Sequence, residues 1–360
     1  MIEGRQAQHI IVDGRKLIIF SSNDYLGLSH HPGVLKAAAL AAEKYGCGTG
    51  GAPGTSGTTA IHRELADAIA GFKHRDTGVI FPSGYAANVG LHQSLGDDST
   101  IFFSDSHNHP SAADGIRLAG CDKKVYHHRD YDHLEQLLKA DKHKRKIVST
   151  CSVFTIDGAI CDLKTLTELR QKYDFVLILD EAHATGCLGL TGRGLEEQFR
   201  LEGEADFIMG TFSKALGSQG GFLVYNRRNE HLLKLPLRPF DYSTSIAAPT
   251  AAASLKALQI LMDKPELVHK MRANIGHIYD SLTAGGLELN ESGRHIVNVY
   301  FGTEEKTRKI ADKMKQNGYF VVIINQDNNW GLRITAMAVH SEAEIKRFCE
   351  KLNKTGTEAN

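Results

Sequence analysis

The segment FVLILD, residues 175–180, decides the fold class of this chain. Its first five residues are all apolar, so an extended strand would have no polar face to present to water. Strands that are buried on both faces are typical of parallel sheets with helices packed above and below. FVLILD therefore predicts an α/β fold, and it places Asp180 at the carboxyl end of a buried strand.

Short apolar runs rich in β-branched and aromatic residues alternate with amphipathic helical patterns on both sides of this segment. Such alternation predicts a mostly parallel central sheet covered by helices. The other predicted strands of this sheet are GVIF (78–81), TIFF (100–103), KIVST (146–150), DFIMG (206–210) and GFLVY (221–225).

After about residue 265 the pattern changes to that of a smaller α+β unit. A long helix leads into predicted strands at 295–302, 320–324 and 332–337, with a helix over 304–316. The last helix begins with a capping-box sequence, from Ser341 to Glu344. We therefore expect an N-terminal segment (1–30), a large domain (31–265) and a small C-terminal domain (266–360).

Composition narrows the class of protein. Lys+Arg and Asp+Glu each number 42, so the formal net charge is zero and gives no general attraction for nucleic acid or an anionic membrane. No apolar run reaches the roughly 18 residues of a membrane span. The six cysteines are scattered without a C-x-x-C pair, which favours a reduced, cytoplasmic location over a zinc site or a disulfide framework.

Ligands of open parallel sheets bind beyond the carboxyl ends of the strands, so the residues that follow each strand are informative. GVIF is followed by Ser83, Gly84 and Tyr85, which begin a helix. Free N–H groups at such a helix start suit a phosphate, although an ordinary strand-to-helix turn can have the same sequence.

Two further strand ends carry ionisable side chains. TIFF is followed by SDSHNHPS, which contains His107 and His109. No third ligand of matching spacing follows, so we expect no metal site. The alternative is a histidine ring that stacks on a flat cofactor. FVLILD is followed by His183, and its buried Asp180 needs a cationic or hydrogen-bonding partner. A helix cap is the alternative role for this aspartate.

DFIMG is followed by Thr211 and Lys214, within GTFSKALGSQGG (210–221). A lysine among small residues has room for a cofactor, although a lone lysine is more often a surface residue. Together the strand ends offer a phosphate cradle, a ring, a buried acid and an amine. Pyridoxal phosphate requires all four, because it has a phosphate, a flat ring, a ring nitrogen and an aldehyde.

The segment Gly46-Cys-Gly-Thr-Gly-Gly51 matches G-x-G-x-x-G, the dinucleotide fingerprint. It follows a helical pattern and not a strand, so the context that this fingerprint needs is missing. We interpret it as a glycine-rich loop that lines the site.

The chain resembles the α-oxoamine synthases, a family of fold-type I pyridoxal-phosphate enzymes with the aspartate aminotransferase-like fold. The resemblance runs over nearly the whole chain and implies that fold here. It is carried by SSNDYLGLSHHP (21–32), SGYAANVG (83–90), SDSHNHPSAADGIRL (104–118), DEAHATGCLGLTGRG (180–194), TFSKALGSQGG (211–221) and YSTSIAAP (242–249).

The resemblance implies catalytic roles for three residues. Lys214 would join the cofactor aldehyde and move the α-proton of the substrate, Asp180 would pair with the ring nitrogen, and His109 would stack on the ring. His183 would bind the phenolic oxygen of the cofactor. Thr155 lies where the family often has serine, and it is included among the expected cofactor contacts.

The resemblance also implies contacts to the phosphate and to the substrate. Ser83, the amides of Gly84 and Tyr85, and Thr211 would hold the phosphate. Ser243 and Thr244 would reach the phosphate of a neighbouring subunit, which implies a homodimer with shared active sites. Arg333 and Asn23 would bind the amino-acid substrate, and the segment before Arg333, IINQDNNWG (323–331), would form an approach loop in place of a proline-rich one.

The activity implied is decarboxylative condensation of a small amino acid, foremost L-alanine, with an acyl-CoA or acyl-carrier-protein thioester to give an α-aminoketone. Glycine or serine with another acyl chain is the alternative within the family. An aminotransferase or aldolase is the alternative from another enzyme class, and a non-enzymatic subunit disagrees with the presence of Lys214, Asp180 and His109.

Overall fold

Strands and helices alternate through most of the chain. The computed structural model describes residues 2–4, 7–142, 145–291 and 295–358. Its strands are β1 (Ile2–Glu3), β2 (His9–Val12), β3 (Arg15–Ile19), β4 (Thr77–Phe81), β5 (Thr100–Asp105), β6 (Asp122–Tyr126), β7 (Arg145–Cys151), β8 (Phe175–Asp180), β9 (Phe207–Thr211), β10 (Gly221–Tyr225), β11 (Glu288–Leu289), β12 (Ile296–Gly302), β13 (Tyr319–Phe320), β14 (Val322–Gln326) and β15 (Asn329–Thr335).

The helices include two 3-10 helices, Leu28–His30 and Arg227–Leu232. The α-helices are α1 (Pro32–Tyr45), α2 (Ala60–Phe72), α3 (Gly84–Leu95), α4 (Pro110–Ala119), α5 (Tyr131–Ala140), α6 (Leu163–Tyr173), α7 (Leu195–Phe199), α8 (Arg238–Asp241), α9 (Ala248–Asp263), α10 (Glu266–Ala284), α11 (Glu304–Gln316) and α12 (Glu342–Thr357).

The large sheet has seven strands in the order β4-β10-β9-β8-β7-β5-β6. Strand β10 runs antiparallel to both of its neighbours, and the remaining neighbours are parallel. The sequence-based prediction of an α/β fold with a mostly parallel central sheet is therefore confirmed. Strand β8, the FVLILD segment, lies in the middle.

The two faces of β8 enter two different apolar cores. Leu177 and Leu179 are fully buried in the core on one face of the sheet, and Ile178 is fully buried in the core on the other. Burial of each such side chain contributes about 1.5–3 kcal/mol. A continuous apolar run is thus needed at this position, and the sheet is covered on both faces.

Two four-stranded sheets lie outside the large one, in the orders β1-β2-β3-β13 and β11-β12-β15-β14. The predicted single strand at 320–324 is wrong. Strand β13 pairs in parallel with β3, whereas β14 pairs with β15, so the chain changes sheets at Val321. The backbone N–H of Val322 donates to Ser21 Oγ at this crossing, over 2.9 Å.

The expected approach loop at 323–331 is also wrong, because this segment forms a β-hairpin. Asp327 and Asn328 have φ values of 51° and 66°, and they connect paired residues Gln326 and Asn329. Two consecutive residues with positive φ form the turn that matches the right-handed twist of paired strands. The hairpin delivers Arg333 on the long strand β15.

The capping box predicted at the last helix is present, since Ser341 and Glu344 bond reciprocally. No helix in the described ranges is long and apolar enough to cross a membrane. Helix α10 begins at Glu266, and we propose residues 1–30, 31–265 and 266–360 as working domain boundaries.

Candidate active site

A cavity lies beyond the carboxyl ends of β4, β7, β8 and β9. Most of the residues predicted at strand ends meet there. The lining residues are Ser83, Gly84, Tyr85, His109, Ser111, Cys151, Val153, Thr155, Asp180, Ala182, His183, Met209, Thr211, Ser213 and Lys214.

One end of the cavity is formed by the N-terminus of α3. Ser83 is the N-cap, and its Oγ accepts the N–H of Ala86 at 3.1 Å, so the N–H groups of Gly84 and Tyr85 precede the first bonds of the helix. A Cβ at Gly84 would lie 3.1 Å from Cβ of Thr211. The close approach brings the two amides beside the Thr211 hydroxyl, which donates to the Gly220 carbonyl at 2.7 Å. Free amides at a helix start suit a phosphate.

Asp180 is buried at the end of β8 and is held on both oxygens. Its Oδ2 accepts from Asn88 Nδ2 at 2.9 Å, and its Oδ1 accepts from the Ala182 N–H at 2.9 Å. Burial raises the pKa of Asp180, while the nearby Lys214 and His109 act in the opposite direction. A cationic group in the cavity would stabilise this carboxylate.

His109 is the N-cap of α4 and presents its ring to the cavity. Its Nδ1 accepts the N–H of Ser111 and lies 2.7 Å from Ser111 Oγ. Ser111 in turn accepts from Asn88, so Asn88 connects His109 to Asp180. Burial lowers the pKa of His109, which favours a neutral ring.

Lys214 follows β9 and carries an amine that is only weakly basic for a lysine. Burial lowers the pKa of Lys214 to about 8; the charge of Asp180 opposes the shift and that of Arg333 adds to it. A larger fraction of neutral amine makes this lysine a better nucleophile near neutral pH.

His183 lies between the cavity and the N-terminal segment. Its Nδ1 is 2.7 Å from the hydroxyl of Tyr25, and its Nε2 is buried without a hydrogen-bond partner. Burial, together with the charges of Lys214 and Arg333, lowers the pKa of His183 well below its ordinary value. An unpartnered ring nitrogen at the wall of a cavity is free to bind a ligand there.

Arg333 and Asn23 lie together beside this histidine. Arg333 Nη2 donates to Asn23 Oδ1 at 3.1 Å, and Arg333 Nε is buried without a partner. Arg333 is buried in the described chain, so a carboxylate would be a favourable ligand for its unpaired N–H. The pair does not line the cavity itself, and it is connected to it through Tyr25 and His183.

His107 does not line the cavity, and its ring stacks on that of His128, with ring centroids 4.0 Å apart. Donor atoms of His107, His128 and Asp157 lie within 4.8 Å of one another. Burial lowers the pKa of His128, but hydrogen bonds to Asp105 and Asp157 outweigh burial and raise it to about 9. Stacked rings cannot both direct a lone pair at one ion, and a protonated imidazole has none to give, so the absence of a metal stays our expectation.

Ser243 and Thr244 do not line this cavity. They lie between α8 and α9, where the N–H of Ser245 donates to the carbonyl of Gly51 at 3.0 Å. The glycine-rich loop 46–51 does not line the cavity of its own chain either, because it packs on the 243–246 segment, and its place at the site stays a prediction. It follows α1 and not a strand, which agrees with our rejection of the dinucleotide fingerprint.

The site residues that the sequence reasoning missed include three hydrogen-bonding side chains. Asn88 lies one turn after Gly84 on α3, Ser111 lies two residues after His109, and Tyr25 lies in SSNDYLGL. All three occur in quoted motifs, and a polar residue near the start of a helix that follows a strand was the available signal. Their partners lie up to 158 residues away, which spacing does not reveal.

The family model for class I and II aminotransferases matches residues 15–352. The 8-amino-7-oxononanoate synthase 1 of Bacillus velezensis is 36% identical over 99% of this chain and 93% of its own length. The 8-amino-7-oxononanoate synthase of Alkaliphilus metalliredigens is 35% identical over 99% of this chain and 92% of its own length.

Solved structures with the same fold include two enzymes. A serine palmitoyltransferase of S. paucimobilis, bound to a PLP–myriocin aldimine, has a TM-score of 0.95 at 26% identity, covering 100% of this chain and 93% of that one. The 8-amino-7-oxononanoate synthase of Francisella tularensis has a TM-score of 0.80 at 24% identity, covering 94% and 97%.

Proposed function

This chain belongs to the class I and II aminotransferase family and, within it, to the 8-amino-7-oxononanoate synthases, and from that premise we propose that it condenses L-alanine with a pimeloyl thioester, on CoA or a carrier protein. Coenzyme A or the carrier thiol leaves, and loss of carbon dioxide gives 8-amino-7-oxononanoate for biotin synthesis. We propose pyridoxal 5'-phosphate as the cofactor.

One observation carries this proposal. A single cavity that ends at a helix N-terminus is lined by a lysine of lowered pKa, a buried carboxylate, a histidine ring and His183, whose Nε2 has no hydrogen-bond partner. These groups fit the amine, ring-nitrogen, ring-face, phenol and phosphate requirements of pyridoxal phosphate. When bound, it supplies an aldehyde that takes up the amino acid and a ring that accepts the electron pair left at the α-carbon.

The residues of this chain would divide the work as follows. Lys214, released from the aldehyde by the amino acid, would take the α-proton with its neutral amine. Asp180 would keep the ring nitrogen protonated, and Asn88 would hold the carboxylate that does so. His109 would cover the ring face, which excludes water from the reacting atoms.

Separate groups would bind the phosphate of the cofactor and the carboxylate of the substrate. The amides of Gly84 and Tyr85, with the hydroxyls of Ser83 and Thr211, would hold the phosphate, and Thr155 would contact the cofactor. Arg333 and Asn23 would hold the carboxylate of the amino acid. We further propose that Ser243 and Thr244 complete the phosphate site of a second copy of the chain in a homodimer.

Serine is the second candidate for the amino acid, since the backbone matches a serine palmitoyltransferase with a TM-score of 0.95. The higher identity to the oxononanoate synthases, 36% against 26%, favours alanine. A titration of the cofactor-loaded protein with L-alanine, glycine and L-serine, followed by visible absorbance, tests the choice. We expect alanine to saturate at the lowest concentration, and a preference for serine or glycine would contradict the proposal.

A further inference from the structure

Tyr25 is a fully buried residue for which the proposed mechanism has no role. It lies between β3 and the first 3-10 helix, and its ring meets that of His295 edge-on, with centroids 5.0 Å apart and an interplanar angle of 89°. Its hydroxyl lies 2.7 Å from Nδ1 of His183. The fixed ring therefore holds a hydroxyl against the cavity histidine.

The direction of these hydrogen bonds follows from the donors present. Arg333 can only donate, and its Nη2 lies 3.5 Å from the Tyr25 oxygen. The tyrosine oxygen thus accepts from the arginine and has one hydrogen to donate. The two acceptors in reach are His183 Nδ1 at 2.7 Å and Asn23 Oδ1 at 3.3 Å. Asn23 Oδ1 already accepts from Arg333 Nη2 at 3.1 Å, so we assign the hydrogen to the shorter contact with His183.

The remaining proton of His183 is then assigned by elimination. The charged and titratable groups that face this ring are Lys214, Arg333, His295 and His109, and with burial they all lower its pKa. A neutral imidazole whose Nδ1 accepts a hydrogen bond carries its hydrogen on Nε2. That nitrogen is buried, unpartnered and at the cavity wall, so it is presented as a donor.

We propose that Tyr25 is a positioning residue that fixes the Nε2–H tautomer of His183 and joins it to the carboxylate-binding Arg333. The inference rests on the proposed function, because the acceptor for His183 would be the phenolic oxygen of pyridoxal phosphate. One hydroxyl thereby orients both the donor to the cofactor and the guanidinium that binds the substrate. Its loss is expected to affect both ends of the site.

The tautomer can be observed without turnover. Magic-angle-spinning NMR of the full chain with ¹⁵N-labelled histidine, freed of cofactor, separates protonated from unprotonated ring nitrogens; the signal of His183 is the one lost in His183→Gln. We expect the wild type to hold the Nε2–H form and Tyr25→Phe to give a mixture of tautomers. A wild-type Nδ1–H form, or an unchanged tautomer in Tyr25→Phe, would overturn the inference.

The matched control is Tyr126→Phe, which removes the hydroxyl of another fully buried tyrosine on the edge strand β6. Thermal unfolding of both variants checks that each is folded. In the loaded enzyme, Tyr25→Phe is expected to raise KM for alanine about five- to tenfold, the loss of roughly one hydrogen bond, with Tyr126→Phe unchanged. Equal KM values in wild type and Tyr25→Phe would contradict the link to Arg333.

Different results would contradict the proposed function and the role of Tyr25. If the wild type takes up no pyridoxal phosphate, the proposed function is wrong whatever the tautomer of His183. If it binds the cofactor and turns over alanine but Tyr25→Phe keeps both the tautomer and KM, only the role of Tyr25 is wrong.

Discussion

At pH 7 we expect the amine of Lys214 to react faster than that of a surface lysine, because burial lowers its pKa. Its pKa is about 8, compared with an ordinary value of 10.5. At pH 7 about a tenth of the Lys214 amines are therefore neutral, and this fraction is roughly 300 times that of an unperturbed lysine. The rate at which the cofactor-free chain takes up pyridoxal phosphate is therefore expected to rise with pH and level off above about pH 8.

Burial is the main cause of this lowered pKa, and Arg333→Gln tests the smaller contribution of a neighbouring charge. The guanidinium disfavours the protonated lysine, so its removal makes the protonated form easier to keep and raises the pKa of Lys214. The rate profile of the variant is expected to move to higher pH, with slower uptake at pH 7 and the same plateau.

Stopped-flow absorbance between pH 7 and 10 measures both profiles. Uptake by Nα-acetyllysine over the same range corrects for titration of the cofactor itself, and Lys214→Ala sets the background. A wild-type rate that still rises steeply above pH 9 would refute the assignment of a lowered pKa. A profile of Arg333→Gln that is unchanged, or moved to lower pH, would refute the role of the arginine.

Two further predictions concern the acid after β8 and the buried ion pair next to it. Asp180→Asn is expected to keep the cofactor but to slow exchange of the α-hydrogen of alanine at least about 100-fold, because a neutral amide does not hold the ring nitrogen protonated. The exchange is followed by ¹H NMR in D₂O, and exchange at the wild-type rate would remove the proposed role of Asp180. Lys73→Met is expected to lower the free energy of unfolding by about 3–5 kcal/mol, since Lys73 and Glu181 form a fully buried ion pair. The buried carboxylate would lose its cation and keep only the neutral donors Thr185 Oγ1 and the Leu195 N–H. Denaturant unfolding measures this change. The control is Lys309→Met, in an exposed ion pair on α11, for which no measurable effect is expected. Equal losses of unfolding free energy in the two variants would contradict the prediction.

The large sheet could be predicted because its strands are buried on both faces. The apolar run 175–179 leaves a strand no other environment, and parallel neighbours bring their carboxyl ends to one edge. That rule alone placed Gly84, His109, Asp180 and Lys214 around one cavity.

The hairpin at 322–335 and the sheet change at Val321 could not be predicted in the same way. Short apolar runs do not specify which edge they pair with, and the turn depends on two residues of positive φ, Asp327 and Asn328. The Asp-Asn-Asn sequence at 327–329 is typical of a turn, but it does not by itself distinguish a hairpin turn from a longer loop.

The contacts of Asn88 and Tyr25 depend on packing between distant segments. Asn88 meets Asp180 across 92 residues, and Tyr25 meets His183 across 158. A sequence places such residues on an element, and only the assembled sheet and loops determine the side chain that each one meets.

A single labelled turnover distinguishes the proposed decarboxylative acyl transfer from transamination. The loaded enzyme is given L-[1-¹³C]alanine and pimeloyl-CoA, and free CoA, ¹³CO₂ and the mass of the product are measured together. We predict one ¹³CO₂ for each CoA released and an unlabelled product with the mass of 8-amino-7-oxononanoate. Formation of labelled pyruvate without release of CoA would contradict the account.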